Sequence, residues 1–405
     1  MIKIGTDTVE IRRFSEMKNL DHFVNRFFTE RERDGFAKHK SPFQHIAGAF
    51  AAKEAFSKYL GSGVRGFALN DIEILHDELG KPYLCFKGKC VDADVSISHS
   101  ELVATAVVCG DMQISGICPE LYEKYRKLLP VRCKNMHKGD CGRLFVLAGS
   151  VGMTGAACLC TKAALRCGSG LVTLATPECV QPVAASMLLE AMTLPLPCRD
   201  GGLSSDAIEA IKEKIKNSDV CAAGPGLGST DDITEITAAV LGGSTPCVID
   251  ADGLNAISKD LNILRHKNCK AVITPHPGEM SRLTGLTVAE IEQNRTKTAL
   301  DFAKEYDCTV VLKGHETVIA SASGEVTINK TGNSGMATGG MGDVLTGVIA
   351  SFIGQGCSAY NAAVLGAFLH GLAADTATEK IGEFGLIASD VIESLPKAIL
   401  KIQGL

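Results

Sequence analysis

The chain has 405 residues, enough for two or more domains, and its 45% hydrophobic content with 42 glycines fits an α/β protein with many strand–helix turns. A net charge of −5 gives no reason to expect nucleic acid as a partner, and the lack of Trp with only 5% aromatic residues argues against a stacking platform for bases or sugars. The carboxylate of Asp7 falls too early for a signal peptide, and sixteen cysteines scattered through apolar segments without a CxxC pair read as free thiols in a reducing compartment, so a cytoplasmic protein is expected.

In chain order, residues 2–7 read as an opening strand that Asp7 closes, residues 48–56 as helix, and residues 103–108 as a strand that ends a charge-rich N-terminal region. Between 111 and 140 the character changes, with Pro119, a helix-like 120–126, Pro130 and a basic polar stretch to Asp140. From Arg143 short apolar strands (144–148, 171–175, 219–224, 247–250, 271–274, 309–313) alternate with helical patterns such as 155–166. This alternation predicts a mainly parallel sheet with helices on both faces, preceded by a smaller α+β domain. The expected division is 1–112, a linker over 113–139, and 140–405.

Residues Val344 to Ala374 carry no Asp, Glu, Lys or Arg, a length that could span a bilayer. Gly354-Gln355-Gly356 breaks the run, and Asn361 and His370 lie in its second half, so two buried helices beside a site are expected and no membrane partner.

The most informative stretch is residues 333–343, a glycine-rich loop ending Gly339-Gly340-Met341-Gly342-Asp343 where an uncharged helix begins. Glycines let backbone N–H groups turn toward one point, and a helix N-terminus adds partial positive charge, so the loop can hold a phosphate. Asp343 is placed to take a proton from a hydroxyl beside it. In parallel sheets the ligand crevice lies beyond the carboxyl ends of the strands. Five further polar or glycine loops fall there: Gly149–Ala157, Gly224–Gly228, Asp250–Asn255, Thr274–Met280 and Lys313–Thr317. Among the N-terminal residues, Asp7 and Glu54 stand out as a pair of carboxylates whose hard oxygens suit Mg²⁺, with waters and substrate phosphates completing the shell.

The order of motifs from Arg143 to about residue 400, above all Gly335–Asp343 and Pro275-His276-Pro277-Gly278-Glu279, resembles the ADP- or ATP-dependent NAD(P)H-hydrate dehydratases of the ribokinase-like superfamily. The resemblance implies ADP-dependent dehydration of the S epimer of hydrated NADH or NADPH, yielding AMP and phosphate. It places Ala156, Gly226, His276 and Asp343 at the hydrated nicotinamide nucleotide. Lys313, Gly314, His315, Glu316, Thr317 and Gly342 fall at the adenine nucleotide, with Asp343 as the catalytic base. ADP or ATP is the implied co-substrate.

Gly5–Glu10, Phe28–Glu32, Phe50–Ala55, Gly80–Tyr83 and Val95–Ser100 occur in the order found in holo-acyl-carrier-protein synthases. This second resemblance covers residues 1–112 and implies transfer of 4'-phosphopantetheine from coenzyme A to an acyl carrier protein. Asp7 and Glu54 would then bind Mg²⁺, Lys53 and Lys81 would meet coenzyme A phosphates, and Glu54 or a metal-bound water would assist deprotonation of the acceptor serine. The chain departs from this pattern at Ala49, where the family carries Arg, and in a shortened 84–94 segment. Both resemblances imply a homo-oligomer. The competing expectation is a ribokinase-like small-molecule kinase whose N-terminal domain is degenerate and serves to oligomerise.

Overall fold

A computed structural model describes residues 3–39, 41–61, 67–113 and 119–404. The chain divides into two compact units, Met1–Lys124 and Tyr125–Leu405.

In the first unit, Lys3–Glu10 pairs antiparallel with Val103–Gln113, which pairs antiparallel with Asp92–His99. The expected opening strand runs past Asp7 to Glu10, because the ladder to Val103 continues, so Asp7 sits within the strand opposite Ala106. Helix Phe43–Leu60 crosses this sheet with most of its residues buried. Close approach requires glycine: a Cβ on Gly5 would collide with the Ala55 carbonyl. A second small sheet, Ile72–His76 with Pro82–Phe86 and Lys89–Cys90, was not resolved by the sequence pattern. The expectation of free thiols is corrected here at one pair. Cys85 and Cys90 are register partners across this hairpin and form a disulfide, because strand pairing puts residues five apart in sequence face to face. Among the described residues the other cysteines are free, and most are buried.

The second unit is built on a nine-stranded sheet. Its order is Val326–Ile328, Val318–Ala320, Thr309–Leu312, Ala271–Ile273, Cys247–Ile249, Val220–Ala223, Arg143–Leu147, Leu171–Pro177, Met192–Leu196. Seven neighbouring strands from Thr309–Leu312 to Met192–Leu196 are parallel, and the hairpin at one edge is antiparallel. Phe145, Leu147, Cys221, Ala223, Ile249, Ile273 and Val310 share one core with helices such as Ile208–Lys216, Asp231–Gly242 and Arg295–Glu305. The alternate residues Leu144, Val146, Ala222, Val248, Val272 and Val311 are also buried. The other face meets Thr154–Arg166, Met341–Gly354 and Ala359–Ile381. Burial on both faces is why these strands read as unbroken apolar runs. The uncharged stretch forms two buried helices, and no helix among the described residues is long and apolar enough to cross a membrane.

From Tyr125 onward the connecting stretch packs within the second unit. The Tyr125 ring stacks on Phe368 with centroids 3.5 Å apart. Arg126 Nε donates to the Ile402 carbonyl at 2.8 Å.

Candidate active site

Helix Met341–Gly354 begins at Gly340, whose φ of 89° is the left-handed conformation that only glycine adopts without strain. A Cβ there would also meet Leu159 and Ala388. This turn starts the helix, whose first N–H groups have no intrahelical partner, and puts Asp343 in its first turn. Lys313, just past the end of its strand, donates to Asp250 Oδ1 at 2.6 Å and lies 3.7 Å from Glu279 Oε2. Asp250, 1% exposed, also accepts from Thr346 Oγ1 at 2.8 Å. Thr346 donates as well to the Gly342 carbonyl, and a Cβ on Gly342 would stand 3.2 Å from Lys313 Nζ, so Gly342 rests directly on the Lys313–Asp250 pair.

The electrostatics follow from this packing. Burial favours the neutral form of both partners, but their mutual attraction and hydrogen bonds outweigh it: Asp250 is held below the usual carboxylate range and Lys313 above the usual ammonium range. Asp343 has no such partner. Burial and then the repulsion of Asp250 push its carboxyl up to about 7, with Asp252 and Glu279 adding to the rise and Lys313 opposing it. A carboxylate near neutrality is well matched to accept a proton from a hydroxyl.

A cavity of about 640 Å³ opens beside this cluster. Its wall contains all six residues expected at the adenine nucleotide, Lys313, Gly314, His315, Glu316, Thr317 and Gly342. Glu316 holds φ at 56°, a strained setting for a side-chain-bearing residue and one found more often where function demands it. The size falls in the range of small-molecule sites.

The residues expected at the hydrated nicotinamide nucleotide come from three loops. Gly226, at φ 64°, lies against Ala156, with 3.2 Å from its would-be Cβ to that methyl, and its carbonyl accepts from Ser150 Oγ at 2.8 Å. The Gly224–Gly228 loop is tied onward to the acidic cluster, since Gly228 N donates to Asp252 Oδ2 at 2.8 Å. His276 caps helix Pro277–Thr284, its Nδ1 accepting from Gly278 N at 3.0 Å, and remains half exposed. Its own N–H donates to Glu279, which faces Lys313. Asp250 and Glu279 enter the sequence reading only as members of the Asp250–Asn255 and Thr274–Met280 loops, without roles of their own, although both belong to the site's charge network. A carboxylate at the carboxyl end of a parallel strand was the available signal for Asp250.

In the N-terminal unit the Gly5 contact brings strand and helix together so that Asp7 and Glu54 feel each other. Burial and then Asp7 raise the Glu54 carboxyl above its ordinary value, with Lys58 and Arg13 opposing. Lys58 Nζ meets Asp7 Oδ1 at 2.8 Å. Two like charges relieved by one cation form a donor set that fits Mg²⁺ if substrate phosphates and water supply the rest. Among the described residues no group of three or more His, Cys, Asp or Glu could hold a metal alone. Lys81 is exposed, with its Nζ 3.5 Å from Asp94 Oδ1.

Lys53 requires a correction. Its side chain is wholly buried, pairs with Glu32 at 2.7 Å, and donates to the carbonyls of Phe27, Leu69 and Ile72. With its donors already engaged it cannot serve a coenzyme A phosphate, and its place is structural. Ala49 is also buried, at 4% exposure, so an Arg there would have to displace packed core rather than simply restore a surface cation.

Residues 144–397 match the family model described as NAD(P)H-hydrate dehydratase. The chain belongs to the NAD(P)H-hydrate dehydratase family. Residues 3–110 match the 4'-phosphopantetheinyl transferase superfamily, so this dehydratase-family chain carries a phosphopantetheinyl-transferase-like domain at its N-terminal side. Among relatives, the bifunctional NAD(P)H-hydrate repair enzyme Nnr of Moorella thermoacetica is 41% identical over 328 residues, covering 80% of this chain and 60% of that protein. The ADP-dependent (S)-NAD(P)H-hydrate dehydratase of Neisseria meningitidis is 36% identical over 277 residues, covering 66% of this chain and 88% of that protein. The chain spans 60% of the length of the Moorella repair enzyme and 52% of that of a similarly named one from Thermofilum pendens. A crystal structure of the ADP/ATP-dependent NAD(P)H-hydrate dehydratase of Bacillus subtilis, co-crystallised with ATP and Mg²⁺, aligns with a TM-score of 0.61 and 31% identity over 69% of this chain and 97% of that one.

Proposed function

We propose that this dehydratase-family chain restores hydrated NADH and NADPH of the S form by an ADP-dependent dehydration. The observation that carries this reading is Asp343, raised to about 7 and standing one residue from the wall of a nucleotide-sized cavity. Asp343 takes the proton of the ring hydroxyl, and that oxygen attacks the terminal phosphoryl of ADP, releasing AMP. N–H groups at the start of the Met341–Gly354 helix and the Lys313 ammonium face the charge that develops. The ring-nitrogen lone pair then expels phosphate, which carries off the hydroxyl oxygen and leaves an iminium cation, and loss of a proton from the adjacent ring carbon to water or the departing phosphate restores the reduced nicotinamide. Ala156, Gly226 and His276 hold the dinucleotide, and Lys313–Thr317 with Gly342 hold the adenine nucleotide.

We assign to the N-terminal domain the transfer of 4'-phosphopantetheine from coenzyme A to an acyl carrier protein. Asp7 and Glu54 would hold Mg²⁺, which when bound would neutralise the pyrophosphate. Lys81 meets a coenzyme A phosphate, and Glu54 assists loss of the serine proton. The functional division is 1–112 and 140–405, with 113–139 connecting them, in a cytoplasmic homo-oligomer.

The test is incubation of the purified chain with hydrated NADH plus ADP or ATP, following recovery of the reduced-ring absorbance. Recovery with stoichiometric AMP supports the reading. A stable phosphorylated product without recovery would instead mark a small-molecule kinase.

A further inference from the structure

The nucleotide cavity has one feature that the family-matched residues leave unexplained. His370, on the inner side of helix Ala359–Ile381, lines the cavity wall together with Ala367 and Gly371, one helical turn apart. It is 7% exposed, and its Nε2 is a buried polar atom without a hydrogen-bond partner. Of the buried side-chain atoms without a partner among the described residues, it is the one that belongs to this wall.

Two physical facts bear on it. An unmet buried donor or acceptor is costly, so a fold retains one where something else completes it. The helix is also held close against the neighbouring loop here, because the next residue, Gly371, touches Thr331 so closely that any Cβ there would collide with it. The ring is thus held in the wall of a cavity large enough for a nucleotide.

The position along the cavity selects which end of the nucleotide it meets. His370 shares the cavity wall with Lys313 and lies close enough to feel its charge, burial and then that charge lowering the imidazole to about 4, which puts His370 at the Lys313 end. That is the end where Gly342 and the start of the Met341–Gly354 helix lie, the anion-binding end of the site. A neutral imidazole carries one N–H, and phosphate oxygens bring acceptors and no donors.

We propose that His370 is a phosphate-contacting residue of the nucleotide site, its Nε2–H donating to a phosphate oxygen of the bound adenine nucleotide. The inference rests on reading this cavity as the nucleotide site.

The test uses the full chain and isothermal titration with ADP on the native protein, His370→Leu and His370→Gln. A hydrogen bond to a charged group is worth about 1.5–3 kcal/mol, so His370→Leu should weaken ADP binding about tenfold or more. The amide of His370→Gln can place a donor near the Nε2 position and should recover most of that loss. Thermal melting of the nucleotide-free protein should not fall in His370→Leu, because an orphaned polar atom has been removed. In parallel, the Nε2 resonance of ¹⁵N-histidine-labelled native protein should move on saturation with ADP and stay in place with adenosine. This arm decides the matter even if a variant fails to fold. Native affinity in His370→Leu, or an equal resonance shift with adenosine, overturns the phosphate contact alone. If the native chain binds no adenine nucleotide, the nucleotide reading of the cavity falls and this inference falls with it.

Discussion

Lys313 and Asp250 form a 2.6 Å ion pair directly under Gly342, and Asp343 stands beside that pair without sharing in it. One ammonium faces several carboxylates, and its closest hydrogen bond goes to Asp250. Asp343 therefore feels the surplus negative charge of Asp250, Asp252 and Glu279, which with burial lifts it to about 7. A carboxyl near neutrality is made by leaving one carboxylate out of a salt bridge.

Activity should follow that ionisation. A general base must be deprotonated to act, so kcat/KM should climb as pH rises through about 7 and fall below it. Asp343→Asn keeps the shape but cannot accept the proton, and should lose on the order of 10²–10⁴-fold in rate with no ascending limb near neutrality. An Asn variant retaining the native pH profile would remove Asp343 from the base role.

The same shift has a consequence for stability. The folded carboxyl at about 7 lies above its unfolded value of 3.8, so the folded state binds the proton more tightly and folding becomes less favourable as pH rises from about 4 to about 7. Asp343→Asn removes that penalty. Its melting temperature should exceed that of the native protein at pH 8, with the gap shrinking toward pH 4. Calorimetric scans across that range check it, and a constant gap would mean that Asp343 ionises like an ordinary surface carboxylate.

Lys313→Met should destabilise the fold as well as the nucleotide site, by about 3–5 kcal/mol, because it strands Asp250 as an unpaired buried charge. Adding Asp250→Asn should return much of the loss. Urea unfolding of the two single variants and the double variant gives the coupling. Additive losses would show that the pair is not the unit described.

Much of this site was legible in sequence because each element of it is local. The Gly339–Asp343 loop carries its own helix start, and Lys313–Thr317 follows directly on a strand of unbroken apolar residues. What was not legible depends on which charges the tertiary fold buries. Lys53 and Lys58 share the helix Phe43–Leu60, yet one is sealed against Glu32 and the other reaches Asp7 at the surface. Nothing in the local pattern separates them, since the difference arises from the loops around Phe27 and Leu69 that cover one and not the other. Asp250 was legible only as a member of a loop, because its importance lies in the partners it meets from distant strands and helices.

The corrected role of Lys53 separates two lysines that sequence alone would group. Lys53→Met should destabilise the N-terminal unit by about 3–5 kcal/mol through the stranded Glu32. Lys81→Ala, at an exposed site, should leave stability within about 0.5 kcal/mol and instead raise the KM for coenzyme A. Chemical denaturation of residues 1–124 and transfer kinetics with a purified carrier protein distinguish them. An unchanged KM in Lys81→Ala would remove that residue from the phosphate site.

The place to cut the chain follows from Tyr125. Its ring is 3% exposed and stacks on Phe368, Arg126 reaches the Ile402 carbonyl, and Cys357 Sγ lies 3.5 Å from the Leu128 carbonyl. All of these contacts lie within the second unit. A fragment of residues 125–405 should therefore fold and retain dehydratase activity near that of the full chain. A fragment of residues 140–405 keeps every matched site residue but exposes the face of Phe368. Losing a buried aromatic of this kind costs about 3–5 kcal/mol, so the shorter fragment should melt earlier while showing a similar KM for ADP wherever it remains folded. Equal melting of the two fragments would mean that the 125–139 stretch adds nothing to the fold. Loss of activity in a folded 125–405 fragment would mean that the N-terminal domain takes part in the repair site.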